Sequence, residues 1–245
     1  MSTTKRIVLV TGGNSGIGLT LCKLIAQKGH KVWLAARNPV AGEEAAAKLR
    51  QENLDVKSIK LDVTDLSSIV AAKELIEKED GKLDVLVNNA AIGEMDKDQN
   101  ALTVNLEILR RTFETNLCGM IQTTQTFVPL VKKAASAAGH AVILNVATDM
   151  SSNSHQAKPD SQLHFVAYNT SKAAANSYAI ALSHELRQYN IKVNAVSPGY
   201  TSTKLNFFGE GGKDVESGAK ALLPWALLEL DGKTGTFMSD FGTEW

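Results

Sequence analysis

The chain contains 245 residues, and its 26 basic and 26 acidic side chains give a formal net charge of zero. Hydrophobic residues make up 44% of the sequence, which is enough for a sizeable core in one α/β domain. The balanced charge lacks the excess of basic residues that is typical of nonspecific nucleic-acid binding. We therefore expect a single domain, residues 1–245, without a nucleic-acid partner.

Two cysteines, Cys22 and Cys118, are too few for a disulfide framework or a four-ligand zinc site. Both lie in apolar surroundings and are expected to be small buried thiols, and no metal site is predicted. Apolar runs are too short for a signal peptide or a membrane-spanning helix. The sequence thus predicts a cytoplasmic protein with no membrane partner.

Short apolar segments alternate with longer helix-like segments along the chain. The candidate strands are residues 7–10, 32–36, 56–61, 85–87, 141–146 and 191–196, with 234–238 as a seventh candidate. The candidate helices run from Ile17 to Gly29 and over residues 41–52, 66–79, 108–135 and 167–189. This alternation predicts an α/β fold: a Rossmann-like, doubly wound parallel sheet of about seven strands with helices on both faces.

Three irregular segments, residues 91–103, 149–164 and 200–213, follow the carboxyl ends of predicted strands. Ligands bind at this edge of open α/β sheets, so these segments are candidate substrate loops. They carry apolar side chains that predict a partly apolar pocket: Met95, Met150, Tyr200, Phe207 and Phe208. Two histidines in the second loop, His155 and His164, are expected to be solvated rather than in contact with substrate.

A glycine-rich turn, residues 11–18, directly follows the first strand and opens the first helix. Glycine lets the backbone turn sharply and approach a ligand, and the helix N-terminus favours an anion. This context predicts a phosphate-binding turn. The spacing of Gly12, Gly16 and Gly18 resembles the T-G-x-x-x-G-x-G turn of the short-chain dehydrogenase/reductase superfamily.

The end of the second strand contains Arg37, and no acidic residue occurs between Lys31 and Ala41. In related nucleotide-binding folds an acid here binds the ribose 2′-hydroxyl of NAD, whereas an arginine accommodates the 2′-phosphate of NADP. A guanidinium group matches phosphate oxygens well. The sequence therefore predicts NADP(H) as the cofactor.

Tyr168 and Lys172 are four residues apart at the start of a predicted helix, and thus share one face. A tyrosine hydroxyl has an ordinary pKa of about 10, and a nearby ammonium group lowers that value. We expect such a tyrosine to donate or accept a proton near neutral pH.

The resemblance to short-chain dehydrogenases/reductases extends over nearly the whole chain. Its motifs occur in the family's order, at residues 11–18, 61–63, 88–90, 116, 168, 172 and 198–199. Within the superfamily the chain is most similar to the carbonyl reductase group, in residues 36–38, 83–90, 193–200 and 235–245.

The resemblance implies specific roles for matching residues. Cofactor contacts are implied for Gly12, Asn14, Ser15, Gly16, Ile17, Gly18, Arg37, Asp62, Val63, Asn88, Ala90, Tyr168, Lys172, Pro198, Gly199, Thr201 and Thr203. Tyr168 would be the acid in the reductive direction, and Lys172 would also bind the nicotinamide ribose. Asp62 would face the adenine, and Asn116 would hold a water that relays protons to Lys172. Structural alternatives remain open: Asn88 and Asn116 could cap or bridge backbone, and Asp62 could be a turn residue.

The chain departs from the family's pattern at its serine position. The family's serine, which polarises the substrate carbonyl, aligns with Thr148, whose hydroxyl offers the same donor and acceptor. Ser151 and Ser152 lie close enough to compete, and Ser151 is the second candidate. The segment between Thr148 and Tyr168 is longer than in most members, which leaves a monomer or a homo-oligomer open.

Two further departures concern the cofactor. The basic residue of the glycine turn is replaced by Asn14 and Ser15, which leaves Arg37 as the main phosphate determinant. The family's Asn-Asn-Ala-Gly motif ends here in Ala91, a small change that a negative φ would tolerate.

Together these features predict NADPH-dependent reduction of a ketone or aldehyde to an alcohol, or the reverse, on a small-molecule substrate. One alternative is an NADP(H)-binding scaffold or sensor without turnover, supported only by the altered serine position. Another is a nonredox step on a specialised metabolite in the same pocket.

Overall fold

A computed structural model describes residues 4–161, 163–240 and 242 of the chain. The rest, which includes Gln162 of the second candidate loop and residues 243–245 of the carboxyl-terminal match, lies outside the described residues. The described strands are β1 Ile7–Val10, β2 Lys31–Ala36, β3 Val56–Lys60, β4 Val85–Asn88, β5 Ala141–Val146, β6 Ile191–Val196 and β7 Thr236–Met238. They form one sheet of parallel pairs in the order β3-β2-β1-β4-β5-β6-β7. The predicted fold class is confirmed, and the seventh strand begins at Thr236 rather than Thr234.

Helices cover both faces of the sheet. They are α1 Gly16–Gln27, α2 Pro39–Gln51, α3 Leu66–Asp80, α4 Leu106–Phe113, α5 Gly119–Ala138, α6 Asn153–Gln156, α7 Val166–Leu186 and α8 Val215–Ala226. The sequence pattern does not predict α8, although Asp214 caps it by accepting a bond from the Ser217 amide (2.7 Å). Pro224 lies inside α8 and weakens the helix pattern, because proline has no amide hydrogen to donate.

Alternate residues of each strand enter two separate hydrophobic layers. On β1, Leu9 packs into the layer that contains Phe127 of α5, whereas Val8 and Val10 pack into the layer that contains Leu21 of α1. Because both faces of the sheet are buried, its central strands are apolar at nearly every position. The sheet is therefore a rigid support whose carboxyl edge is left to bind ligands.

The order of the strands reverses beside β1, which lies between β2 and β4. At this point the Thr11 amide donates to the Val87 carbonyl (3.0 Å), and the Thr11 hydroxyl accepts bonds from the Asn89 and Ala90 amides (2.9 and 3.0 Å). The loops that follow β1 and β4 are thus joined. A crevice at such a reversal is the usual ligand site in a doubly wound sheet.

The two cysteines differ in environment. Cys22 is buried as expected, and burial raises the pKa of its thiol well above the ordinary range, whereas Cys118 is exposed, so its expected burial is wrong. No helix in the described part of the chain is both long and apolar enough to cross a membrane. Within the same residues no group of three or more histidines, cysteines or acids could hold a metal ion.

Candidate active site

Two adjacent cavities open at the carboxyl edge of the sheet. The larger has a volume of about 700 Å³ and the smaller about 330 Å³. They share wall residues, which are Ile17, Asn89, Ala91, Thr203, Leu205 and Phe207. A ligand in one cavity would therefore contact the wall of the other.

The glycine turn forms one end of the larger cavity, through Gly12, Asn14, Ser15, Gly16, Ile17 and Gly18. Gly12 and Gly16 have positive φ angles of 62° and 53°, a conformation that favours glycine. A Cβ on Gly18 would lie 2.5 Å from both the Asn89 side-chain nitrogen and the Gly12 carbonyl oxygen. The turn therefore needs glycine for both its bend and its packing.

The N-terminus of α1 faces the same cavity. Its N-cap residue, Ser15, makes no side-chain capping bond, so amides of the first turn remain available to a ligand. Aligned peptide dipoles add partial positive charge at this end of the twelve-residue helix. This arrangement can hold a phosphate group without a basic side chain in the turn.

Arg37 lines the larger cavity at the end of β2 and is exposed. Its guanidinium makes no ion pair or hydrogen bond to another described residue, so it is free to meet an anion. Asp62 and Val63 line the cavity too. The Asp62 carboxylate accepts bonds from the Thr64 amide (2.9 Å) and hydroxyl (2.8 Å), so it also stabilises its own turn.

The two asparagines at the end of β4 face different surroundings. Asn88, predicted to line the cofactor, is buried beneath the site, where its amide donates to Thr124 (2.9 Å) and Asn145 (2.8 Å). Asn89 lines both cavities and donates to the carbonyls of Thr11 (2.8 Å) and Gly12 (3.2 Å). Since Asn88 still belongs to the strand, its side chain turns into the core; Ala90 lines the larger cavity as expected.

Asn116 lies in a π-helical turn, Glu114–Cys118, that divides the predicted helix 108–135 into α4 and α5. Its side chain accepts from the Ile92 amide (2.9 Å) and donates to the Ile92 carbonyl (2.9 Å) and the Ser171 hydroxyl (3.1 Å). Asn116 is buried and lines neither cavity. Its side chain thus bridges a loop to α7, which is the structural alternative, and the water relay stays a prediction.

Tyr168 and Lys172 lie one turn apart on α7, and both line the smaller cavity. Lys172 donates from Nζ to the Val146 carbonyl (2.8 Å), and burial lowers its pKa to about 8. The expected lowering of the Tyr168 pKa is wrong: burial raises it to about 12, although a hydrogen bond with Thr148 opposes the rise. The loss of solvation on burial is the largest influence on both groups, and it disfavours each charged form.

Of the two candidate hydroxyls, Thr148 alone lines the smaller cavity. Ser151 is 3% exposed; its hydroxyl donates to the Thr148 carbonyl (2.6 Å) and accepts from the side-chain nitrogen of Asn176 (2.8 Å). A short 3-10 turn, Asp149–Ser151, rotates the serine side chain away from the cavity. The geometry therefore favours Thr148, and its role toward a carbonyl stays a prediction.

The remaining wall of the smaller cavity is mainly apolar. Met95, Met150, Tyr200 and Phe207 line it as expected, together with Leu163, Phe165 and Leu205. Pro198, Gly199, Thr201 and Thr203 also line it, whereas Phe208 is 68% exposed and lies outside it, and neither His155 nor His164 lines it. Within the described part of the chain, Lys172 is the one charged residue that lines this cavity.

Comparison with known proteins agrees with this geometry. The family model described as short chain dehydrogenase matches residues 6–208. Short-chain dehydrogenase anuI from Penicillium roqueforti is 32% identical over 241 residues, covering 94% of this chain and 93% of that protein. (+)-Neomenthol dehydrogenase from Capsicum annuum is 28% identical over 308 aligned positions, covering 96% of each chain.

Solved structures give the same result. Salutaridine reductase from Papaver somniferum has a TM-score of 0.81 and 26% identity, covering 95% of this chain and 99% of that one. The 3-ketoacyl-(acyl-carrier-protein) reductase from Brucella melitensis, complexed with NADH, has a TM-score of 0.85 and 26% identity, covering 98% of each chain. Because the family model matches most of the chain, the protein belongs to the short-chain dehydrogenase family.

Proposed function

We propose that the protein is an NADP(H)-dependent oxidoreductase that interconverts a ketone or aldehyde with an alcohol. The observation that carries this proposal is that Tyr168, Lys172 and Thr148 line one cavity together, beside the glycine-lined cavity. Relatives that are named for alcohol and carbonyl redox chemistry, such as neomenthol dehydrogenase and salutaridine reductase, support it.

The larger cavity has the features that a phosphorylated dinucleotide needs. The glycine turn and the open end of α1 would hold the pyrophosphate, and Arg37 would hold the 2′-phosphate. Asp62 and Val63 would line the adenine end. The bound cofactor supplies the hydride, while the protein supplies position and electrostatics.

Thr148 and Tyr168 would bind the substrate oxygen together. Both side chains line the smaller cavity, so a carbonyl oxygen bound there could accept a hydrogen bond from each hydroxyl. With a pKa of about 12, the Tyr168 hydroxyl keeps its proton at neutral pH and can donate it as negative charge develops on that oxygen. In the oxidative direction Tyr168 accepts the proton instead.

Lys172 would return the proton to Tyr168. Its ammonium lies one helical turn away, and its pKa of about 8 places its proton exchange near neutral pH. The bond to the Val146 carbonyl keeps the side chain oriented while it is charged.

The walls of the smaller cavity favour an uncharged, largely apolar carbonyl compound. Among the described residues no carboxylate or guanidinium group lines the cavity, and the ammonium of Lys172 is already engaged by a carbonyl. A buried substrate charge without an opposite partner is costly. A volume of about 330 Å³ lies within the usual range for small-molecule sites, roughly 300–1,000 Å³.

A scaffold without turnover is less well supported. That alternative depends on the altered serine position, yet Thr148 still places a hydroxyl-bearing side chain in the cavity wall that Tyr168 also lines. The arrangement therefore retains a hydroxyl where the family's serine would act.

Replacing Arg37 with glutamine should weaken NADPH binding about 10- to 100-fold, the worth of a charge-assisted hydrogen bond. NADH has no 2′-phosphate, so its affinity should not change. Fluorescence titration of both cofactors measures this difference. Arg50→Gln, on the outer part of α2, is the matched control and should change neither affinity. Equal weakening of the two cofactors would contradict the role of Arg37.

Replacing Tyr168 with phenylalanine should lower kcat at least 100-fold, since general acid catalysis contributes about 10²–10⁴-fold. NADPH affinity should stay close to that of the wild type, because the ring remains. Tyr178→Phe, half-buried on the same helix, removes a hydroxyl outside the cavity and should keep full activity. A fully active Tyr168→Phe variant would show that the assigned mechanism is wrong.

The rate of reduction should fall as the pH rises above about 8, where Lys172 loses its proton. Lys172→Arg should lower kcat and remove this decline, because a guanidinium keeps its proton throughout the range and cannot pass it to Tyr168. The pH profile of kcat at saturating NADPH measures the change, and an unchanged far-ultraviolet circular dichroism spectrum shows that the variant is folded. A decline near pH 8 in both proteins would exclude Lys172 as its source.

A matched pair of substrates tests the neutral pocket. The methyl ester of 4-oxocyclohexanecarboxylic acid should be reduced with a kcat/KM at least about 10-fold above that of the free carboxylate, because an unpaired buried charge is costly. Cyclohexanone is the uncharged control for the ring. Equal kcat/KM values for acid and ester would contradict the proposed substrate class.

A further inference from the structure

Gln99 is a buried residue whose side chain makes three hydrogen bonds, all of them to backbone atoms. The residue is 3% exposed. Its amide nitrogen donates to the carbonyls of Gly93 and Glu94, both at 2.8 Å, and its amide oxygen accepts from the Tyr168 amide at 3.1 Å. Its own carbonyl accepts from the Val166 amide at 3.0 Å. One residue thus joins the loop 91–103 to the start of α7.

These bonds supply a cap that α7 lacks locally. The helix begins at Val166, and its N-cap residue, Phe165, makes no side-chain capping bond. Amides of the first turn of a helix have no partner within the helix, and a buried unpaired amide is costly. Gln99 satisfies two of them, at Val166 and Tyr168. The catalytic tyrosine is therefore capped by a residue more than sixty positions earlier in the chain.

The side-chain nitrogen of Gln99 binds a strained part of the loop. Glu94 has a positive φ of 49°, which a residue other than glycine seldom adopts. Gly93 and Glu94 line the larger cavity, and Met95 lines the smaller one. Because the Gln99 amide binds both carbonyls at this bend, it fixes the walls of the two cavities relative to Tyr168.

A second contact, through Asn116, also fastens this loop to α7. Asn116 holds the amide and carbonyl of Ile92 and also binds Ser171 of α7. The loop is thus fastened to α7 at two neighbouring points, once through Asn116 and once through Gln99. Loss of the Gln99 bonds would leave the Ile92 anchor in place and free only the bend and the first turn of α7.

We infer that Gln99 is a positioning residue for catalysis: its amide orients Tyr168 by capping α7 and fixes the loop at residues 93–95 that forms the facing walls. Gln99 lines neither cavity, so it acts through Tyr168 and the loop rather than on the substrate. Small errors in the placement of reacting groups reduce rates strongly. The kinetic part of this inference rests on the proposed reductase activity.

The first variant is Gln99→Met, which keeps the approximate side-chain size and removes all three side-chain bonds. We expect kcat to fall about 10- to 100-fold, as for a displacement of about 1 Å. Asp65→Ala is the matched control, since Asp65 caps α3 by accepting from two amides, Ser67 (2.9 Å) and Ser68 (3.3 Å), and α3 lines neither cavity. This control should lose comparable stability and keep the wild-type kcat at saturating cofactor.

The second variant, Gln99→Glu, separates positioning from mere stability. The protonated carboxyl group can donate one hydrogen bond and accept another, much as the amide does, whereas the ionised form faces two carbonyls with no donor. The ratio of its kcat to that of the wild type should therefore rise as the pH falls. The corresponding ratio for Gln99→Met should be flat with pH. A flat ratio for both variants, or a kcat for Gln99→Met equal to that of the Asp65→Ala control, would overturn the inference.

Hydrogen exchange tests the joint without turnover. In Gln99→Met, amides of residues 93–99 and 166–169 should exchange faster than in the wild type, and those of β1 should not change. Wild-type exchange at both segments would overturn the inference. A wild-type chain that reduces no carbonyl compound would overturn the proposed function instead, and the exchange result would then decide whether Gln99 clamps the loop to α7.

Discussion

The Thr11 hydroxyl joins the two turns on which both cavities depend. It accepts bonds from the Asn89 and Ala90 amides and donates to the Val87 carbonyl at 3.3 Å, so the end of β4 is held against the glycine turn that follows β1. Asn89 strengthens the joint by binding the carbonyls of Thr11 and Gly12. Because these bonds lie where the strand order reverses, one local network sets the position of the glycine turn and of the wall that the two cavities share.

Burial sets the chemistry of the site as much as charge does. Tyr168 and Lys172 are each 6% exposed, and desolvation disfavours the ionised form of both. The phenol keeps its proton at neutral pH, while the pKa of the Lys172 ammonium falls to about 8. Polar backbone atoms complete the arrangement: the Val146 carbonyl holds Lys172, and Gln99 holds the amide of Tyr168. Tyr168 and Lys172 are thus each held by a hydrogen bond to another segment of the chain.

Much of this could be predicted from the sequence because it follows from local patterns. Apolar segments at regular intervals predict the parallel sheet, and the spacing of Gly12, Gly16 and Gly18 predicts the turn. The misplaced features depend on contacts that the sequence does not display. Whether Asn88 or Asn89 faces the ligand depends on where β4 ends, and the orientation of Ser151 depends on a single 3-10 turn. The pKa of Tyr168 is raised because the folded chain buries its side chain. Gln99 is far from α7 in the sequence, and the two come into contact only in the folded chain.

The central claim is that hydride passes between a nicotinamide cofactor and a carbonyl carbon where the two cavities meet. NADPH labelled with deuterium at C4, one stereoisomer at a time, tests this most directly with an uncharged cyclic ketone. The account predicts that one labelled stereoisomer places deuterium on the carbinol carbon of the alcohol, as seen by mass spectrometry and NMR, and that the other places none. Alcohol without deuterium from both stereoisomers, or no alcohol at all, would contradict it.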